Sequence, residues 1–166
     1  MRFLPDHYVE AASERIEPAV DLFRIGHYSL ALDTAGRAVE CLLRAYFFRR
    51  NGVDAKLEGA HDILKLFRAS GLKEIALGAH QRRGDSEGQS ERFGRALGAD
   101  IHDVGQIWSD DLRYASESRL RTHLRQMNLH RGVKGDFLKF NAQRLVEAAR
   151  RIVAEGVERW SDSKRK

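Results

Sequence analysis

The side chains best suited to chemistry gather in the second half of the chain. Arg119, Arg121, Arg125, Arg131 and Lys134 fall in one stretch whose single acid is Glu117, and Lys164, Arg165 and Lys166 close the tail. Clustered guanidinium and ammonium groups attract phosphates; the alternative reading is a solvated basic surface. The formal charge of +5, from 29 basic and 24 acidic residues, says less than this clustering does. His61-Asp62 is adjacent and could be taken for an acid–base pair. A local role explains it more simply: Asp62 sits in the first turn of a short helix, where a carboxylate satisfies exposed N–H groups, and His61 packs beside it. Trp108 is read as core in preference to a base-stacking platform. Metal chemistry has little support. There is one cysteine, His102-Asp103 is adjacent, and His123 and His130 share a face only if the chain between them is helical. Neither a metal nor a cofactor is expected, and no nucleophile–base set or phosphate-cradling glycine loop stands out.

These groups must be positioned by helices. The 166 residues fit one domain, with 42% apolar and 32% charged residues. Prolines are scarce (Pro5 and Pro18), which favours helix. A lone Cys41 excludes a disulfide within the chain and fits a reducing cytoplasm. No charged-then-apolar leader is present, and no apolar run approaches the ~18 residues of a membrane span, so a cytoplasmic protein without a membrane partner is expected. Val9, Ala12, Ile16, Ala19, Val20 and Phe23 predict a first helix from about 6 to 25, which Pro18 should kink or split. Tyr28, Leu32, Ala35, Val39, Leu42, Leu43 and Tyr46 predict a second from about 28 to 50, ended at Asn51-Gly52. The short turn between them makes the pair antiparallel. A short helix follows over 61–70, capped by Gly71, and another piece over 73–79. Residues 81–90 carry no apolar side chain and are read as a mobile loop. The pattern over 91–116 is helical, with a break expected near Gly98-Ala99-Asp100 and Asp100 as a new N-cap. Residues 117–135 look patternless and are read as a second mobile loop with at most one helical turn. The last helix starts after Asp136. The expectation is an all-α chain: one antiparallel up-down helical bundle over 1–166, with four to five main helices and shorter ones.

The segment from Gly26 to Tyr46, with its aromatic start, small residues and Val39-Glu40-Cys41-Leu42-Leu43-Arg44-Ala45 run, resembles the second helix of the HEPN domain family. Gly59-Ala60-His61-Asp62-Ile63-Leu64-Lys65-Leu66 resembles that family's His-Asp-Leu-x-x-Leu element. Trp108 through Leu112-Arg113-Tyr114 resembles its Trp…Arg-Tyr element.

The resemblance implies a helical bundle associated with nucleotides or RNA, commonly a homodimer. It also implies a minimal nucleotidyltransferase partner in a toxin–antitoxin or defence-type system. Arg113 and Tyr114 would then face the cleft as phosphate or nucleotide contacts, the alternative being a buried tyrosine with a surface arginine, while Arg119, Arg121 and Arg131 are candidate contacts from the basic stretch itself. Some members are metal-independent ribonucleases with Arg-x(4–6)-His before the last helix. There arginine stabilises phosphate charge and histidine transfers protons. Arg125-Gln126-Met127-Asn128-Leu129-His130 fits that spacing and position. Arg2/His7 and Arg95/His102 fit the spacing alone, so a plain basic loop stays open for Arg125/His130. A binding or partner module is the leading expectation. A ribonuclease using Arg125 and His130, and a purely structural dimer, are the alternatives.

Overall fold

The computed structural model describes residues 3–57, 59 and 61–164, with Ser163 and Lys164 described for backbone only. Arg2, Arg165 and Lys166, and the Lys164 side chain, lie outside it. Among the described residues there are seven α-helices and no strand: α1 (Pro5–Arg24), α2 (Tyr28–Asn51), α3 (Ile63–Ser70), α4 (Leu72–Arg82), α5 (Glu87–Ile107), α6 (Glu117–Gln126) and α7 (Phe137–Lys164), with a 3-10 turn at Asp110–Tyr114. None of these helices is long and apolar enough to cross a membrane.

The helix α2 is the spine. Ala31, Leu32, Ala35, Ala38, Val39, Leu42, Leu43, Ala45 and Tyr46 are all buried along it, so α1, α3 and α7 can pack on it from different sides. Gly26, with φ +87, allows the tight turn that sets α1 and α2 side by side. From α7, Gly156 admits Leu42: a β-carbon there would stand 2.4 Å from Leu42 Cδ2. Its carbonyl accepts a 2.6 Å hydrogen bond from the buried Tyr46 hydroxyl, whose ring meets Trp160 edge-on at 5.0 Å. On α2 itself, Gly36 faces Trp108, and an added β-carbon would lie 2.2 Å from the indole. Trp108 is 3% exposed and belongs to the core.

Four expectations are corrected. The first helix is not split: Pro18 lies on the exposed side of α1, where the Glu14 carbonyl it leaves unbonded can be met by water. The second correction concerns α5, which runs unbroken through Gly98-Ala99-Asp100. Leu97, Ile101 and Val104 are buried in one line, and Asp100 receives Arg151 of α7 at 2.7 Å instead of capping a helix. Third, the span 81–90 is mostly helical. Only residues 83–86 lie between α4 and α5, because Ser86 and Gln89 form a reciprocal capping box that starts α5 early. Fourth, 117–135 contains α6, capped by Ser116 and anchored by buried Leu120 and Leu124.

Replacing Gly36 by Ala tests the close approach of Trp108. The overpacking cost of about 1–3 kcal/mol should outweigh the gain in helix propensity of about 1 kcal/mol. The urea midpoint is therefore expected to fall, and a raised midpoint would contradict the packing.

Candidate functional site

One polar line crosses the otherwise buried α2. Asp33, Arg37, Glu40 and Arg44 recur at helical steps and pair along the helix: Arg37 Nε donates to Asp33 at 3.0 Å, and Arg44 donates to Glu40 Oε1 at 3.0 and 2.7 Å. Two other segments join this line. His61, just before the Asp62 cap of α3, donates from Nδ1 to Glu40 Oε1 at 3.0 Å and lies 3.6 Å from Asp110 Oδ2. Asp110 opens the 3-10 turn, takes a hydrogen bond from Arg113, and lies 3.9 Å from Arg37. Glu40, His61 and Asp110 offer donor atoms within 4.8 Å of one another and could hold a metal ion. Yet Arg44 and Arg113 already engage the two carboxylates, so their charge is compensated without one. The arrangement works as an ionic clasp that fixes the 3-10 turn to α2. Asp62 does the local work expected of it, accepting from Lys65 N at 3.0 Å.

The clasp presents Arg113 and Tyr114 to solvent. Tyr114 is 79% exposed, and the Arg113 guanidinium lies 4.9 Å from its ring centroid. Beside them is a hollow of about 400 Å³, lined by Asp111, Tyr114, Arg119, Thr122, His123 and Gln126 among others.

The helix α6 separates the remaining candidates by face. Leu120 and Leu124 point into the core. Arg119 lines the hollow with His123, one turn on. Arg121 and Arg125 share the side that meets Phe137 of α7, their guanidinium carbons 5.5 and 5.2 Å from its ring centroid. His130 packs on the same ring at 6.2 Å, and its Nδ1 is buried with no hydrogen-bond partner among the described residues. Arg125 and His130 are thus brought to one aromatic ring. Arg131 lies beyond it, exposed in the turn before α7.

Arg121 is committed to structure. Its guanidinium donates to Glu117 at 3.0 and 2.9 Å and to both Asp136 oxygens at 2.8 and 3.0 Å. The hydrogen bond to Asp136 raises the Arg121 pKa further. The same bond, helped by the Leu138 backbone N–H, lowers the Asp136 carboxyl to about 2. Asp136 thereby caps α7 and ties it to α6, and Arg121 is not available to a ligand without breaking that tie.

Sequence reasoning missed Glu40 and Asp110 as the partners of His61, and His123 and Gln126 as companions of Arg119. The paired spacing of Asp33/Arg37 and Glu40/Arg44 was a visible signal for the first. The HEPN domain family model matches residues 6–160. No curated protein and no solved structure matches the chain.

The Asp136 carboxyl sets a pH dependence. Its folded pKa of about 2 lies below the ordinary 3.8, so the Arg121–Asp136 tie contributes stability above that ordinary value and loses it as pH falls toward the folded one. The stability gap between wild type and Asp136→Asn is expected to be largest near about pH 5 and to close on acidification toward about pH 2. A gap that stays constant over that window would show that the tie adds nothing.

Proposed function

The chain belongs to the HEPN domain family, and on that footing we propose that it binds RNA or nucleotides as a dimeric module. We further propose that it works beside a minimal nucleotidyltransferase in a toxin–antitoxin or defence-type system. Family membership supports the nucleotide- or RNA-related role. The observation that carries the binding reading is Tyr114. A phenol left 79% exposed, with a guanidinium over one face, offers a surface on which a base can stack. Arg113 and Arg119 then stand within reach of the adjoining phosphates, and the hollow beside them has room for a base. Arg131 adds to the local positive field, whereas Arg121 contributes by holding α6 in place.

Fluorescence anisotropy with a short single-stranded RNA tests this reading. Tyr114→Ala and Arg119→Ala are each expected to weaken binding by roughly tenfold, since base–aromatic stacking is worth about 1–3 kcal/mol. Affinity in the parent should fall steeply with salt. Arg121→Ala should instead lower stability. Unchanged affinity in the Tyr114→Ala, Arg119→Ala double variant would overturn the binding surface.

A second reading rests on a separate observation. Arg125 and His130 meet at Phe137, and the His130 imidazole keeps one buried nitrogen without a partner among the described residues. That supports a metal-independent ribonuclease in which Arg125 holds the phosphate and His130 moves the proton. It expects RNA cleavage in chelator, abolished by His130→Ala with binding retained. Cleavage that survives His130→Ala would remove it.

A further inference from the structure

The 3-10 turn Asp110–Tyr114 repeats every three residues, so side chains three apart stand over one another. Asp110 and Arg113 take one side of the turn and belong to the clasp. Asp111 and Tyr114 take the next side, and both line the hollow of about 400 Å³. From α6, Arg119, His123 and Gln126 line the same hollow, following one another at steps of four and three residues, which keeps them on one helix face.

Asp111 differs from its neighbour. Asp110 is engaged by Arg113, His61 and Arg37. Asp111 is exposed, and among the described residues its carboxylate accepts no hydrogen bond and forms no ion pair. The Arg119 guanidinium, in the same hollow, is unpaired on the same terms. A free carboxylate beside a cation that draws phosphate weakens binding of any RNA, unless the bound base offers hydrogens to it. An ionised carboxylate only accepts, and its two oxygens accept in parallel. Of the four RNA bases, guanine alone carries two adjacent donors on its Watson–Crick edge, N1–H and the N2 amine. Adenine, cytosine and uracil set an acceptor beside each donor there, and that acceptor would face a negative oxygen.

We propose that the hollow beside Tyr114 is a guanine-selective subsite. Tyr114 stacks the base, Asp111 accepts from N1–H and the N2 amine, and Arg119 holds the adjoining phosphate. The subsite rests on the binding surface proposed above and names the base that surface takes.

Fluorescence anisotropy with uridine oligomers carrying one central guanine, adenine or inosine tests it. The guanine oligomer is expected to bind about tenfold more tightly than the adenine one, with inosine, which lacks the N2 amine, between them. Asp111→Asn should abolish that preference. It lowers guanine affinity, because an amide cannot accept from both donors, and raises adenine affinity, because a negative charge is gone. The thermal midpoint should stay where it is, since Asp111 holds no part of its own chain; a structural role would move the midpoint and leave the preference. Titration with guanosine monophosphate separates the two sources of the base. Affinity equal to that of the guanine oligomer names the free nucleotide, affinity at least about tenfold weaker names the RNA strand, and selectivity over adenosine monophosphate supports the subsite in either case. A guanine preference that survives Asp111→Asn overturns the subsite. So does equal binding of the three oligomers with the losses at Tyr114→Ala and Arg119→Ala intact, and both results leave the binding surface standing. Failure of every oligomer to bind overturns the surface itself, and the subsite with it.

Discussion

Where Trp108 meets Gly36, the indole fills the space a β-carbon would take, and α2 can be approached that closely only because none is there. The consequence reaches past packing. Trp108 is the residue at which α5 ends and the chain turns extended. Its Nε1 donates to Asp33 at 3.4 Å, so the same ring is held from two sides. That fixes the start of the 3-10 turn against the polar line of α2. Asp110 can then reach His61 and Arg37, and Arg113 and Tyr114 project outward. A wider separation at Gly36 would draw Asp110 off the clasp and leave Tyr114 on an unanchored loop.

The clasp also answers an electrostatic need. Glu40 is 7% exposed on a helix otherwise committed to the core. A buried carboxylate is tolerated only when paired and hydrogen-bonded. Arg44 and His61 supply both, and His61 also lies 3.6 Å from Asp110 Oδ2. Elsewhere the bundle uses the same device at lower burial: Arg151 with Asp100 and Arg144 with Asp103 tie α7 to α5 along its exposed edge. Part of the charge thus joins helices, and a net charge of +5 says little until the paired cations are set aside.

The long helices were legible because their burial is periodic. The stripes of α1, α2 and α7 and the caps at Gly71 and Asp136 follow from spacing alone. The all-α bundle rested on those stripes and the family resemblance on the motif segments 26–46, 59–66 and 108–114, and both hold. The short helices were not legible, for a physical reason. With only ten residues, α6 buries two leucines, and arginines occupy its other faces, so apolar periodicity has little to register. The Ser86/Gln89 capping box was readable in the sequence, but the polar run around it masked the signal. The ionic clasp was half legible. Its pairs along α2 follow from spacing, whereas the arrival of His61 and Asp110 depends on two chain reversals that no local pattern encodes.

The division of labour within α6 decides how its arginines should be read. Residues two apart on a helix point to nearly opposite sides, so Arg119 and Arg121 cannot serve one ligand from one face. The structure gives them different employment. Arg121 is locked between Glu117 and Asp136, while Arg119 opens onto the hollow beside Tyr114. Arg125 follows the Arg121 side and rests on Phe137, next to a histidine whose buried nitrogen is unpaired among the described residues. An unpaired buried polar atom costs about 1–3 kcal/mol, and such a cost is most easily kept where a proton or a ligand has use for the nitrogen. The two functional readings therefore occupy two faces of one short helix, the first built on an exposed ring and the second on a buried imidazole. Because Arg121 holds the helix from the Phe137 side, ligand binding at the Arg119 face need not disturb the Arg125 face.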